Sequence, residues 1–522
     1  MRIGLMALFS LGVLLFSGAV KAQDSTYKVR MTGAALSWAA ENGRLRQAMQ
    51  AFPKGGDLHN HLAGAVYAES WIDWAAEDGF CVEVASLSLK APEKDPDSSE
   101  SKSCSASGWI TAEAARANED IRRQLINALS NRSYVPTLDW SGHDDFFATF
   151  FKIASSPGRF GDKLAEVAER ASHQNILYLE LMETIVLGEL FPLVGDIELT
   201  GDVVADYQTL MASPFGAKIP DFVAFIRSEI EKAHSKKAVL LGCDKNPDAA
   251  GCEVEIRFIH QVVREFQPSL VYAQIILGWA VMEQIDDVVA LNLVAPEDGF
   301  LALRDYSYHM RMIDHLYQNL GAQNITLHAG ELTMGLVRPR QLRSHIREAI
   351  EVGHAKRIGH GIDIPYETGS EELAKKMAAD GIMVEINLTS NDMILGVKGD
   401  DHPIVMYRDL EVPYALSTDD EGVSRIDLTH EYMRFMTTYD IPYQELKYAS
   451  RNSLTYSFLE GESLWENPGC VAAVKSWGDL NADCAAFIEG SKKAQLQWEL
   501  ELRFRKYENS FRIPERKRTS FN

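Results

Sequence analysis

The chain has 522 residues, of which 46% are hydrophobic and 24% are charged, and these values are ordinary for a globular protein. Its formal net charge is −22. A surface this acidic argues against binding nucleic acid or anionic lipid through a general electrostatic field. The length allows one large domain or several small ones.

The first 22 residues have the pattern of a secretory signal peptide. Arg2 gives a short positive start, an almost wholly apolar or small run follows, and Val20-Lys21-Ala22 precedes the expected cleavage after Ala22. A membrane anchor is the alternative, but the apolar run is short for a span. Loss of Arg2 and Lys21 with the leader changes the net charge to −24. We therefore expect an exported protein, periplasmic or secreted, without membrane attachment after cleavage.

All six cysteines lie in the mature chain and fall into pairs that are close in sequence. An even number of cysteines in an exported chain favours disulfides, and buried free thiols are the alternative. Proximity predicts three local bonds, Cys81–Cys104, Cys243–Cys252 and Cys470–Cys484.

The N-terminal part of the mature chain predicts a helix, a short strand and an insertion. An amphipathic helix is expected from Ala34 to Phe52, and the Pro53-Lys54-Gly55-Gly56 break opens a strand from Asp57 to Leu62. The stretch from Cys81 to Gly108 is rich in Ser, Lys, Asp and Pro, so it predicts an inserted excursion. A helix from Ala112 to Ser130 follows.

Four phenylalanines then repeat at helical spacing: Phe146, Phe147, Phe150 and Phe151. Such a stripe is usually core, although it can also close over an aromatic ligand. Both interpretations stay open on the sequence alone.

Strands and helices alternate through the rest of the chain. Helices such as Leu342 to Val352 and Ser370 to Asp380 separate the strands. Counting Asp57 to Leu62 as the first strand, the other seven are expected at Asn175 to Leu181, Glu253 to Ile259, Val288 to Val294, Asn324 to His328, Arg357 to His360, Ile382 to Leu388 and Val412 to Ser417. Eight such units predict an α/β fold, a (β/α)8 TIM barrel.

The remaining segments complete the predicted domain organisation. A long charged helix from Leu480 to Tyr507 and a solvated basic tail from Arg512 to Arg518 end the chain. We expect a signal peptide over 1–22, a helical segment over 23–52, a barrel over 53–460 with an insertion at about 81–108, and a helical extension over 461–522.

Polar clusters follow four of the predicted strands. His59 and His61 are two residues apart on a strand, so both imidazoles face the barrel interior. Two inward histidines are costly to bury unless something pairs with them, and zinc is the usual partner. His328 and Glu331 follow the run Ile325-Thr326-Leu327, and Gly330 permits the sharp turn that lets both converge.

The other two clusters have the same position relative to their strands. His360 stands between Gly359 and Gly361, which permit close approach of a ligand. Asp419 and Asp420 are adjacent at a strand end, so one can bind a metal while the other faces a substrate. Singly, these are commonly a structural histidine or a solvated acidic loop, but in a TIM barrel all four ends open on the catalytic face.

Several motifs resemble the adenosine deaminase family of the amidohydrolase superfamily. They occur in the family order, and a cysteine-bracketed insertion with a signal peptide resembles its secreted branch, the adenosine deaminase-related growth factors. The matching stretches are Pro53 to His61, His328-Ala329-Gly330-Glu331, Arg357-Ile358-Gly359-His360-Gly361, Asn387 to Asn391, Ser417-Thr418-Asp419-Asp420 and Asn452 to Leu459.

The resemblance implies one zinc ion per chain, held by His59, His61, His328 and Asp419. It also implies the chemistry of deamination: Glu331 protonates purine N1, His360 orients the attacking water, and Asp419 contacts that nucleophile. Adenosine, and 2′-deoxyadenosine with it, would become inosine and ammonia.

The resemblance further implies a purine site. Asp420 would hydrogen-bond N7, and the backbone N–H of Ala295 would meet N3 where the family has glycine. We also place His61, Phe146 and Phe150 among the substrate-binding residues.

This sequence departs from the family where the ribose binds. The family carries an acid one or two residues after the second zinc histidine, but these positions are Leu62 and Ala63 here. Recognition of the 5′-hydroxyl is therefore altered or supplied from elsewhere.

Several alternatives to these expectations can be compared with the sequence. Two-metal amidohydrolases use a lysine on the fourth strand, and Val288 to Val294 has none, which favours one metal. The His-x-Glu and Pro-Cys-x-x-Cys deaminase motif is also absent. A deaminase of adenine or of an N6-substituted adenosine, and a secreted protein that binds nucleosides or signals, remain open, as does a homodimer.

Overall fold

The protein is described here from a computed structural model that covers residues 28–91, 104, 106–153 and 157–511. The predicted signal peptide over 1–22 and the basic tail from Arg512 to Arg518 lie outside these residues, as does much of the predicted insertion. Export therefore stays a prediction. None of the helices in the described ranges has the length and apolarity needed to cross a bilayer.

Eight parallel strands form the barrel, and they match the eight predicted from the sequence. The third strand runs four residues further than expected, to Val263, and the seventh ends two residues earlier, at Ile386. In chain order the strands are Gly55–His61, Ile176–Glu183, Glu255–Val263, Val288–Val294, Thr326–Ala329, Arg357–His360, Met383–Ile386 and Tyr414–Leu416.

The eight strands are arranged in chain order around the barrel. Strands one to four form one four-stranded sheet and strands five to eight form another. Isolated parallel bridges join the two sheets, between Asn60 and Asp419 and between Leu291 and Ile325. These two bridges close the barrel, which confirms the predicted fold class.

Helices follow the strands and cover the barrel. Short 3₁₀ turns lie at 131–133, 157–159, 188–190, 339–342, 364–366, 399–401 and 464–466. The α-helices are 28–41, Leu45–Gln50, Leu62–Ala65, Ala68–Glu77, Ala112–Ala117, Glu119–Ala128, Gly142–Phe150, Phe160–His173, Phe191–Val194, Val203–Ala212, Pro214–Leu241, Pro268–Gln284, Phe300–Leu320, His345–Glu351, Ser370–Asp380, Leu388–Leu395, Ile404–Asp409, Glu421–Ser424, Leu428–Thr438, Tyr443–Thr455, Pro468–Ser476, Ala482–Glu489 and Lys492–Ser510.

Three helices predicted as continuous are each divided in two. The first breaks at Gly43, whose φ of 67° is left-handed. The second breaks at Asn118, whose side chain accepts from the N–H of Ile121 and so begins a new helix. The last breaks at Ser491, which caps the final helix by accepting from the N–H of Ala494. In each case a local turn or cap outweighs the helical periodicity.

The insertion contains a small sheet that the sequence did not predict. Three antiparallel strands, Ser88–Lys90, Cys81–Glu83 and Trp109–Thr111, pair in that spatial order. The disulfide Cys81–Cys104 lies at its base with Cα atoms 5.5 Å apart. The bonds Cys243–Cys252 and Cys470–Cys484 are also present, so all three predicted pairings are confirmed.

The chain divides into two compact units. One comprises residues 1–56, 174–178 and 432–522. In its described part Phe52 is fully buried among Tyr432, Tyr443, Phe504 and Tyr507, with ring centroids 5.2 to 6.2 Å away.

The other unit comprises residues 57–173 and 179–431. It holds most of the barrel strands, the small sheet of the insertion and every predicted site residue. Its helix 142–150 packs Phe146 against Ile394 and Val423.

Candidate functional site

Three imidazoles and one carboxylate converge at the C-terminal ends of the barrel strands. The Nε2 atoms of His61 and His328 are 3.2 Å apart. Asp419 Oδ1 lies 3.4 Å from Nε2 of His59 and 3.3 Å from Nε2 of His61. These are the four residues that the sequence predicted as metal ligands. In the structure, His59, His328 and Asp419 cluster with His360, and His61 clusters with Asp419 and Asp420, so Asp419 belongs to both groups.

Each of the three imidazoles is held at its other nitrogen by a separate acceptor. Nδ1 of His59 lies 2.6 Å from Glu385 Oε2, and Nδ1 of His61 lies 2.9 Å from Gln261 Oε1. Nδ1 of His328 lies 2.9 Å from the side-chain oxygen of Asn292. Partners of this kind fix the ring orientation and the tautomer, so the three Nε2 atoms are left to face a common point.

Glu385 belongs to a buried ionic network under the site. Its Oε1 accepts from the guanidinium of Arg357 at 2.6 Å and from the hydroxyl of Thr326 at 2.8 Å. Arg357 also donates to Glu180 at 2.6 Å. Burial opposes ionisation of Glu385, but the Arg357 charge together with His59 and Thr326 outweighs it and lowers the pKa to about 2. Glu385 is therefore a fixed anion behind His59.

The pairing of the first and eighth strands positions Asp419 next to the two histidines. The N–H of His61 donates to the carbonyl of Asp419 at 2.9 Å, and the N–H of Asp419 donates to the carbonyl of His59 at 2.9 Å. The second oxygen of Asp419 accepts from the hydroxyl of Ser390 at 2.6 Å. Asp419 has a φ of 60°, so the strand end turns sharply to direct its carboxylate inward.

In the absence of a metal ion, the charged groups of this cluster shift one another's pKa values. Burial alone would lower the pKa of His59, but Asp419 and Glu385 outweigh it and raise the pKa to about 10. Burial opposes ionisation of Asp419, yet the adjacent His59 and His61 rings hold its pKa well below the usual value. The two carboxylates therefore stabilise a positive charge, which the His59 ring carries in the absence of a metal ion.

Glu331 is a buried acid whose backbone is held in place by a second acid, Glu297. The carboxylate of Glu297 accepts from the N–H of Glu331 at 2.8 Å, from the N–H of Gly330 at 3.1 Å and from Nδ1 of His345 at 2.6 Å. Gly330, where the sequence predicts a sharp turn, has a left-handed φ of 75°. Burial and the Asp419 carboxylate raise the pKa of Glu331 well above its usual value.

A chain of hydrogen bonds fixes the tautomer of His360. The N–H of Ile404 donates to Nδ1 of His402, so Nε2 of His402 carries the proton that Asn391 Oδ1 accepts at 3.1 Å. The amide nitrogen of Asn391 then donates to Nδ1 of His360 at 2.9 Å. The proton of His360 therefore lies on Nε2, a buried atom without a partner among the described residues. Burial lowers the pKa of His360 to about 3, so the ring is neutral.

Asp420 and Ala295 lie on the wall of the same cavity. Oδ1 of Asp420 is buried without a partner among the described residues, and it lies so close to Gly64 that no side chain fits there. Burial and the adjacent Asp419 raise the pKa of Asp420 well above its usual value. Ala295 has a φ of 79°, which is unusual for a residue with a side chain.

The cavity has a volume of about 290 Å³, at the lower end of the range for small-molecule sites. Of the predicted site residues only His59 does not line it, because that ring lies beneath the others. Phe146 and Phe150 line it together with Phe147 and Phe151, so the phenylalanine stripe serves both as core and as cavity wall.

The glycines beside His360 have a different role from the predicted one. A side chain at Gly359 would come within 2.6 Å of the His59 ring, and one at Gly361 would come within 2.5 Å of the Tyr407 hydroxyl. The two glycines therefore make room for these neighbouring side chains rather than for a ligand.

The residues present fit a bound metal ion. Nε2 of His59 is buried and has no partner among the described residues, so a ligand is expected there. Three neutral nitrogens and one carboxylate oxygen are a set that zinc uses, and each histidine has the outer partner that metal-binding histidines have.

The sequence reasoning missed the outer partners Gln261, Asn292 and Glu385. Each is a polar residue within or just after an apolar strand run, and a polar side chain in a buried strand needs a partner. That signal was present in all three strands.

A barrel with a buried histidine and carboxylate cluster at its C-terminal ends is the architecture of metal-dependent hydrolases. The family model for adenosine deaminase matches residues 219–465. The adenosine deaminase of Clostridium perfringens strain 13 is 33% identical over 177 residues, which are 34% of this chain and 48% of that one. That of Erwinia tasmaniensis is 28% identical over 217 residues, 41% of this chain and 59% of that one. Over residues 219–465 the chain is similar to the adenosine deaminase family.

The matched region spans about half the length of the curated relatives. Among solved structures, a zinc-bound amidohydrolase from Burkholderia ambifaria has a TM-score of 0.53 at 17% identity, over 89% of this chain and 94% of that one. The Arabidopsis N6-mAMP deaminase has a TM-score of 0.50 at 18% identity, over 79% and 95%. These likenesses establish the fold. The growth-factor branch stays a prediction.

Proposed function

We propose that the protein is a zinc-dependent deaminase that converts adenosine, and 2′-deoxyadenosine with it, into inosine and ammonia. One observation carries the proposal: three imidazole nitrogens and the Asp419 carboxylate converge at a cavity that Glu331, His360 and Asp420 also line. The match of residues 219–465 to the adenosine deaminase family model supports a hydrolytic deamination.

His59, His61, His328 and Asp419 are the residues that would hold the zinc ion. When bound, zinc lowers the pKa of a coordinated water and so supplies a nucleophile near neutral pH. Glu385, Gln261 and Asn292 keep the three rings in the orientation that this requires.

In the proposed reaction, the oxygen of water bonds to C6 of the purine and the bond from C6 to the exocyclic nitrogen breaks. Glu331 gives a proton to N1, which lets the ring accept the electron pair of the attacked C6–N1 double bond. His360 donates its Nε2 proton in a hydrogen bond to the attacking oxygen. The two protons of water end on N1 and on the departing ammonia, so Glu331 recovers its proton.

The purine is held by groups that surround this chemistry. Asp420 donates from its protonated carboxyl group to N7, and the N–H of Ala295 donates to N3. Phe146 and Phe150 belong to the apolar wall that encloses the substrate. These contacts place C6 over the cluster of histidines and keep bulk water away from it.

The test is a comparison of the zinc-loaded chain with Glu331→Gln. The variant keeps the size of the side chain but has no proton to give, so kcat on adenosine should fall by at least ~10²-fold while zinc content is unchanged. Glu372→Gln, an exposed change of the same type, is the control and should be fully active.

Activity of Glu331→Gln within tenfold of the parent would refute the role assigned to this acid. Adenine and N6-methyladenosine in the same assay separate the alternative substrates. A zinc-loaded parent chain that releases no ammonia from adenosine or 2′-deoxyadenosine would refute the proposed function itself.

A further inference from the structure

The part of the cavity away from the metal-binding cluster is almost entirely apolar. Four phenylalanines form one wall, three of them on the helix Gly142–Phe150 and the fourth, Phe151, directly after it. Val263, Val294, Ala295, Pro296 and Ile394 complete this part of the lining. None of the described residues that line the cavity is a lysine or an arginine.

Gln261 is the single polar lining residue outside the cluster, and both ends of its amide are engaged. Its oxygen accepts from Nδ1 of His61 at 2.9 Å, and its nitrogen donates to the hydroxyl of Thr184 at 3.1 Å. Each end of the amide has one hydrogen bond, so one N–H and one oxygen lone pair remain for a ligand.

Outside the lining, the side chains of His143 and Asp298 bond to each other. Nε2 of His143 donates to Asp298 at 2.8 Å, and the His143 ring contacts the ring of Phe147 with centroids 4.7 Å apart. At the two positions where the family carries a sugar-binding acid, the chain has Leu62 and Ala63, and Leu62 is fully buried. Apart from the residues assigned to the metal and to the purine, Gln261 is therefore the one polar side chain that the described lining offers to a sugar hydroxyl.

The chemistry at C6 fixes which end of the substrate meets this wall. C6 and N9 lie on opposite sides of the purine, so a base with C6 at the histidines directs its N9 substituent away from them. The sugar and its 5′ group then face the phenylalanines. An apolar 5′ group gains from leaving water there, whereas a phosphate would lose hydration without gaining a cation.

We propose that the preferred substrates are adenosines with an uncharged, apolar group at C5′, such as 5′-deoxy-5′-methylthioadenosine. This inference rests on the proposed function, because it assumes that C6 is the reacting atom. It assigns specificity at the 5′ end to the phenylalanine wall, with Phe150 at its centre.

The first test compares kcat/KM of the zinc-loaded full chain on adenosine, 5′-deoxyadenosine, 5′-methylthioadenosine and AMP. The methylthio compound should exceed adenosine by about 10-fold, as expected for one small apolar group in a hydrophobic pocket. AMP should react at least about 1,000-fold more slowly than adenosine, because its charge is buried without a partner.

The outcomes separate this inference from the proposed function. If adenosine reacts but the methylthio compound reacts more slowly than adenosine, the inference is wrong and the proposed function stands. If neither compound releases ammonia, both are wrong. Rapid reaction of AMP would also overturn the inference, because it would require a cation at the 5′ end.

A variant locates the effect. Phe150→Ser should lower the ratio of kcat/KM for the methylthio compound to that for adenosine by about 10-fold. Phe300→Ser is the matched control, since Phe300 is 76% exposed and does not line the cavity, and it should leave the ratio unchanged. An unchanged ratio in a folded Phe150→Ser protein would refute the assignment, and Phe150→Leu, which keeps the wall apolar, should retain the preference.

Discussion

Replacing Ala295 by glycine should stabilise the protein, against the usual effect of this substitution. Ala295 directly follows the fourth strand and has a φ of 79°, a left-handed conformation that favours glycine. Its carbonyl accepts from the guanidinium of Arg264 at 3.0 Å, which holds the backbone in that conformation. The strain therefore persists in the folded state.

The magnitude follows from two opposing contributions. A side chain in the left-handed region costs about 1–2 kcal/mol, and glycine removes that cost. Glycine also makes the unfolded chain more flexible, which costs about 0.4–1 kcal/mol. The difference spans about 0 to 1.6 kcal/mol, so Ala295→Gly should raise the free energy of unfolding by about 0.8 kcal/mol, the middle of that range.

The measurement is the thermal midpoint at one scan rate, where the expected rise is about 1–2 °C for a chain of this size. Ala290→Gly is the matched control. Ala290 lies in the strand that Ala295 follows, is fully buried and does not have a positive φ. That control should lose stability. A midpoint for Ala295→Gly as low as that of Ala290→Gly would refute the strain at Ala295.

Three further predictions concern the site itself. His59→Ala should lose tight zinc binding and activity together, measured as metal per chain; full activity after exhaustive chelation would contradict this. Glu297→Gln should lower kcat by about 10-fold or more at unchanged zinc content, because it weakens a charged hydrogen bond to the Glu331 backbone; an unchanged kcat would show that Glu297 has no positioning role. His143→Ala should raise KM for adenosine more than it lowers kcat, because it frees the phenylalanine helix from Asp298; a fall in kcat alone would argue against that.

The barrel could be predicted from the sequence because each strand is an apolar run that ends in polar residues. The predicted metal cluster followed from the same pattern, since the carboxyl ends of parallel strands meet at one face. The third strand was predicted too short because His260 and Gln261 resemble a loop. In the structure His260 bonds to the carbonyl of Gln274 behind the sheet, and Gln261 points to His61. The sequence therefore does not indicate the end of this strand, because its last polar residues have buried partners that only the structure shows.

The parts that could not be predicted depend on contacts between residues distant in sequence. Glu385 is 326 residues from the ring of His59 that it holds, and Asn292 is 36 residues from His328. Nothing in the local sequence specifies these pairs. The helix breaks at Asn118 and Ser491 are different, because a capping residue is visible in the sequence and was outweighed there by apolar periodicity.

The buried charges around the cluster would favour the dication of the proposed function. Asp419, Glu385 and Glu180 supply three carboxylates, and Arg357 supplies one guanidinium, all with little exposure to solvent. Among these four groups the excess is two negative charges. They lie in a region of low dielectric, where net charge is costly. In the absence of metal, a proton on His59 offsets one of them, consistent with the raised pKa of that ring. A zinc ion would offset both, so metal binding and the stability of the barrel floor are coupled.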